Sequence, residues 1–155
     1  MGFKVVINNN EIKFSACHFL KEPLKCSRIH GHNYYVSVEV ESEVDENYFV
    51  VDFIELKQIV ESLVEPLDHY VLVPELSKNL KITKKDESIE VITENNKKYL
   101  FPKCDVKFLP LEATTSEMLA KYIHSKLKEI FPNKIITVKI EESKSTIAIF
   151  TDSKY

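Results

Sequence analysis

The chain has no tryptophan and, in 155 residues, only two glycines, Gly2 and Gly31. Its turns must therefore be made by other residues, chiefly Asn, Pro and Ser. Cysteine is sparse and odd in number: Cys17, Cys26 and Cys104. The start, "MGFKVVINNN", lacks a signal-peptide pattern. Together these exclude a disulfide scaffold and predict reduced thiols and a cytoplasmic location. Position 6 carries no Ser or Thr, so the short start gives no lipidation motif. No apolar run approaches the ~20 residues that cross a bilayer. Neither charge sign dominates: 21 basic and 24 acidic residues leave a net −3. That balance argues against a nucleic-acid or membrane-surface partner.

What is present suits a single domain, 1–155, without repeats or low-complexity linkers. A hydrophobic content of 44% can supply its core. "FKVVI" at 3–7 and "EIKFSACHF" at 11–19 read as strands, with "NNN" at 8–10 as a turn or a bulge. Phe14, Ala16 and His18 share one face by the period of two. In 31–41, "GHNYYVSVEVE", the residues His32, Tyr34, Val36, Val38 and Val40 share a face, with Ser37 and Glu39 opposite. A helix follows. Asp52 with Glu55 is a capping-box analogue, Phe53, Leu56, Val60, Leu63 and Leu67 form its stripe, and Pro66 ends it near residue 64. A second helix spans 114–131, with Thr114 and Glu117 as capping box and Leu119, Ile123, Leu127 and Ile130 on one face. "KIITVKIE" and "STIAIFTD" are the last strands. Between the helices, the polar, Lys-rich segment 75–110 contains a predicted hairpin, "SIEVITENNKKYLF", turning at Asn95-Asn96. The simplest order is β-β-α-(hairpin)-α-β-β: an α+β fold with an antiparallel sheet and both helices on one face.

The chemistry-bearing stretch is "CSRIHGHNY", residues 26–34. His30 and His32, two apart on a strand, leave the same face and can share one metal ion. His18, at the end of the preceding strand, lies a loop's length from His30 and can face the pair. Three imidazoles with an open fourth position match a catalytic zinc site, although iron or nickel also suits imidazole. Gly31 lets something approach the backbone closely, permits a bulge, or marks the strand start. Cys26, beside Lys25 and Arg28 and near such an ion, is expected to favour thiolate; it is a fourth ligand, a general base or a nucleophile. Cys17 and Cys104 read as bystanders. Asp68-His69, from spacing alone, reads as a cap rather than a proton-transfer pair. Glu142 continues the inward face of Val138 and Ile140, a setting that asks for a partner such as a ligand with adjacent N–H donors. Glu141 should face the other way. His124 reads as a solvated residue, and Lys84-Lys85 and Lys97-Lys98 as solvated loop charges.

The runs "FSACHF", "KCSRIHGHNY", "VVDFIELK", "LDHYVL", "TTSEMLAKYI" and "VKIEES", in this order over about 12–150, resemble the 6-pyruvoyltetrahydropterin synthase / 6-carboxytetrahydropterin synthase family. The resemblance implies the tunnelling fold, with sheets joined into a barrel in larger homo-oligomers, often hexamers. It implies zinc on His18, His30 and His32, Cys26 as proton-abstracting thiolate, and Asp68 and His69 as a pair contributed across a subunit interface, which replaces the cap reading. It makes Glu142 the anchor of a pterin ring, assisted by Thr115, Ser116 and Glu117. The substrate implied is 7,8-dihydroneopterin triphosphate, without a redox cofactor. The Cys-x3-HGH spacing resembles the 6-carboxytetrahydropterin synthases of the queuosine route, which release acetaldehyde and triphosphate. The alternatives are the pyruvoyl-forming reaction and a non-catalytic metal-binding module. The chain departs from the family's pattern in its long 75–110 insertion and in Tyr70, where a second His is common.

Overall fold

The computed structural model describes residues 2–8 and 11–153. Strands β1 (Phe3–Ile7), β2 (Lys13–His18) and β3 (His30–Ser42) precede α1 (Phe53–Val64). Five strands separate α1 from α2 (Ser116–Ile130): β4 (Tyr70–Pro74), β5 (Leu80–Lys84), β6 (Ser88–Thr93), β7 (Lys98–Pro102) and β8 (Val106–Leu109). The chain closes with β9 (Ile135–Ser143) and β10 (Thr146–Thr151).

The main sheet runs β10-β9-β3-β2-β4-β8, with β1 also on β3. β3 is its spine. β9 pairs along one edge of β3, and β2 and β1 both run antiparallel along the other. The chain therefore keeps its direction from β1 to β2, although Asn9 and Asn10 of the expected turn or bulge lie outside the described residues. The antiparallel expectation needs one correction. β2 pairs β4 and β4 pairs β8 in parallel, so the sheet is mixed at that side. β4 and β8 escape sequence reading because each is short and sits beside the polar segment. The rest of that segment forms a separate three-stranded sheet, β5-β6-β7. Its hairpin turns where expected: Asn96 takes a positive φ of 60°, a conformation Asn tolerates without glycine. β5 adds a strand beyond the expected hairpin.

Both helices lie on one face of the main sheet, and the core forms between them. Phe14, Tyr34, Val36, Val38 and Val40 from β2 and β3 meet Leu56 and Val60 of α1 and Leu119, Ile123 and Leu127 of α2. Each such side chain removed from water contributes about 1.5–3 kcal/mol. Asp52 caps α1, accepting from Ile54 N–H and Glu55 N–H, and Pro66 sits in the 3-10 turn Glu65–Leu67 that ends it. Phe53, placed on the buried stripe, is instead 66% exposed, and Ile130 is also exposed. The cap of α2 is Thr115, whose hydroxyl accepts from Met118 N–H, not Thr114. His124 is not solvated: it is buried against Phe150, 4.8 Å between ring centroids, with Nε2 3.5 Å from Asp152. Its neighbours on the chain are charged, but it shares the inward stripe with Ala120 and Leu127. A smaller core of Phe19, Val73, Ile89 and Val91 joins the three-stranded sheet to the main one.

Candidate metal centre and substrate pocket

β2 and β3 build the centre through their register. His18 is the direct partner of His30, Cys17 of Gly31 and Ala16 of His32. A Cβ on Gly31 would lie 3.1 Å from Ala16 O and 3.4 Å from Cys17 Sγ. The close approach expected at this glycine is thus made by β2 itself. The register is unbroken here, so there is no bulge, and Gly31 does not have a positive φ. Without a side chain at 31 the strands close up, and the three imidazoles converge. Their ring centroids stand 4.6 Å (His18–His30), 5.0 Å (His30–His32) and 5.3 Å (His18–His32) apart. One nitrogen from each lies within 4.8 Å of the other two.

Backbone carbonyls orient two of the rings. His18 Nδ1 is 2.8 Å from Thr114 O, and His30 Nδ1 is 2.7 Å from Arg28 O. Each Nδ1–H therefore donates, which leaves each Nε2 as a lone-pair donor to an ion. Tyr34, buried and with its hydroxyl pKa raised by that burial, holds its oxygen 3.3 Å from His18 Nε2. His32 Nε2 is buried, 3.1 Å from Glu142 Oε1 but without a hydrogen bond. Burial, reinforced by His30 and His32 and opposed by the Thr114 hydrogen bond, lowers the pKa of His18. Burial likewise lowers that of His32, against the attraction of Glu142. Convergent imidazoles, two of them with lowered pKa, and an orphaned buried nitrogen fit a bound metal ion.

Glu142 extends the site away from the triad. It continues the inward row of Val138 and Ile140, as expected, and its Oε2 accepts from Ser116 Oγ at the start of α2. Ser116, Glu117 and Glu142 line a cavity of about 220 Å³ with Ile140, Thr146, Ile147 and Ala148. Thr115 stands outside it and spends its hydroxyl on the cap of α2.

Cys26 is half-buried and unpaired in the β2–β3 loop, where its carbonyl accepts from Leu20 N–H. Asp68 and His69 form a hydrogen-bonded pair, Oδ2 to Nδ1 2.6 Å. Asp68 is fixed by Ser15 N–H, which, with His69, holds its carboxyl pKa down despite partial burial. His69 has a positive φ of 65° and a side chain 81% exposed. It borders a cavity with Ser15, Cys17 and Asn33, which alternate away from the inward face that carries the triad; His32 is the triad member that reaches it. An apolar hollow of about 470 Å³ lies between the β2–β3 loop and the three-stranded sheet, and neither Cys26 nor any triad histidine lines it. The carbonyls of Thr114 and Arg28 carry no sequence signal; only folding brings them to the site.

Comparison with known proteins shows the family of the chain. The family described as 6-pyruvoyl tetrahydropterin synthase matches residues 8–153. The chain belongs to that family. A Methanocaldococcus jannaschii protein named as a candidate 6-carboxy-5,6,7,8-tetrahydropterin synthase is 33% identical over 123 residues, covering 79% of this chain and 75% of that one. The Haemophilus influenzae 6-carboxy-5,6,7,8-tetrahydropterin synthase is 23% identical, over 93% of this chain and 97% of its own. The solved 6-pyruvoyl tetrahydropterin synthase of Plasmodium falciparum superposes with a TM-score of 0.90 at 28% identity, covering 99% of both chains. The fold is thus that of these pterin synthases, and the chain is an enzyme of their kind.

Proposed function

We propose that the protein converts 7,8-dihydroneopterin triphosphate and water to 6-carboxy-5,6,7,8-tetrahydropterin, acetaldehyde and triphosphate, in the queuosine and deazapurine route. The observation that carries this reading is the convergent His18, His30 and His32 set with Cys26 four residues ahead of His30. The names of the M. jannaschii and H. influenzae relatives support it. Zinc is the ion that His18, His30 and His32 would hold, and it supplies Lewis acidity to substrate C–H and O–H groups. Glu142 would accept from adjacent ring N–H groups, with Ser116, Glu117 and the Thr115 backbone beside it. The cavity there, about 220 Å³, is below the usual size for a whole ligand and suits the ring alone. Cys26 would act as general base, and His69, held by Asp68, would move the second proton.

In a single chain Asp68 and His69 sit with residues of the sheet's other face, so they would serve the site of another copy. The exposed Ile147 and Ile149 on edge strand β10 suit such an association into a homo-oligomer, by family resemblance a hexamer. Three unpaired cysteines suit a reducing, cytoplasmic setting, and no described helix is long and apolar enough to cross a membrane. The second reading is the pyruvoyl-forming reaction, which the likeness to the P. falciparum enzyme favours. Incubating the zinc-loaded protein with 7,8-dihydroneopterin triphosphate separates the two. Acetaldehyde with a carboxypterin product is expected; a pyruvoyl product without acetaldehyde overturns the first reading.

A further inference from the structure

The loop that carries Cys26 is poorly supported from beneath. Phe19, buried in the smaller core, opens the loop, and from there Leu20, Lys21, Glu22, Leu24 and Ser27 wall the 470 Å³ hollow, so the stretch beyond Phe19 borders open space rather than packed core. Its internal bonds, Leu20 N–H to Cys26 O and Ser27 N–H to Pro23 O, shape the loop without fixing it to the body. The attachments come from the three-stranded sheet. Lys97 Nζ donates to Ser27 O at 2.9 Å and Tyr99 Oη to the same oxygen at 3.4 Å. Tyr99 also stacks on Phe19 at 4.8 Å, at the loop's start, and on Phe101 at 5.6 Å. Lys21 at the rim pairs with Glu94 of the hairpin turn at 2.8 Å.

We propose that Lys97, at the end of the inserted hairpin's turn, and Tyr99 of β7 are positioning residues for Cys26, gripping the carbonyl directly after it and the aromatic ring that opens its loop. The inserted sheet thereby sets how closely the thiol stands to the triad. The inference rests on the reading of Cys26 as general base. A small misplacement of such a group costs far more in turnover than in stability. A single exposed hydrogen bond contributes about 1 kcal/mol or less to folding.

The test uses full-length zinc-loaded protein carrying Lys97→Met, Tyr99→Phe, both together, or Lys97→Arg. Amide exchange over residues 20–28 should quicken about tenfold in Lys97→Met, with the exchange of β2, β3 and zinc content unchanged. The rate of Cys26 alkylation by iodoacetamide, read by peptide mass spectrometry apart from Cys17 and Cys104, should change with it. With the substrate that wild type turns over, kcat should fall about tenfold while KM stays within twofold. Lys97→Arg should restore both readouts, and the double variant should exceed either single change. Exchange and alkylation unchanged in the double variant overturn the proposal, whatever kcat does. A loop that loosens in a protein whose wild type processes neither pterin route leaves the tether standing and overturns the functional reading instead.

Discussion

His18 and His30 are direct partners in an antiparallel ladder, whereas Cys26 hangs from a loop over a hollow and His69 lies with residues of the sheet's other face. The proposed metal ligands are placed by the most repetitive interactions in the molecule, strand register and backbone carbonyls. The proposed proton-moving groups are placed by local tethers and, in the proposed assembly, by a second copy. Such a division lets a fixed ion site serve with different proton donors and acceptors. It also predicts that the two sets fail differently when altered.

The largest separation is expected from the histidines. His30→Ala should lower metal affinity at least about 100-fold and abolish turnover, because it removes a ligand outright. Metal content by plasma emission spectrometry after gel filtration reads this, and an undiminished content would show that the three rings are not the binding set.

The second test asks whether His69 serves a different copy. Cys26→Ala and His69→Ala chains are each expected to be inactive alone. After dissociation and reassembly as an equal mixture, roughly a quarter of sites should combine an intact Cys26 with an intact His69. Recovery of about a quarter of wild-type activity sharpens the comparison; no recovery would place both groups in one chain's site.

The third concerns pH. In the metal-free protein the lowered pKa values of His18 and His32 mean that the unfolded chain binds protons more readily than the folded one. Stability should therefore be complete above about pH 6.5 and fall as pH drops toward the depressed folded values. Thermal melts from pH 8 to 5, compared between wild type and a His18→Gln variant, should show a steeper acid loss in wild type.

The smallest effect is expected at Gly31. Adding a methyl presses on Ala16 O, which the ladder holds in place. An overpacking cost of about 1–3 kcal/mol outweighs the ~0.4–1 kcal/mol gained from a stiffer unfolded chain. Gly31→Ala should thus lower Tm by about 3 °C and weaken metal binding. An unchanged melt with unchanged metal affinity would show that close strand approach is not what gathers the rings.

The same division governs what could be read from the sequence. The triad was legible because period two and a loop-length spacing are properties of chain order, and so was the inward placement of Glu142. β4 and β8 were not, because parallel pairing joins segments far apart in sequence. Thr114 with Glu117 matches the capping box and Thr115 with Met118 does not, yet Thr115 is the cap, because backbone φ and ψ rather than the pattern select it. His124 reads as solvated from its charged neighbours on the chain, whereas its neighbours in space are Phe150 and Asp152. The tethers from Lys97 and Tyr99 span about 70 residues and leave no local trace.

The most direct test of the account is zinc content and turnover measured together on Cys26→Ala. The account predicts one zinc per chain, as in wild type, with turnover reduced about 1,000-fold, the middle of the range for losing a positioned general base. Loss of the zinc along with the thiol would make Cys26 a ligand and contradict the division between a fixed metal site and a tethered base.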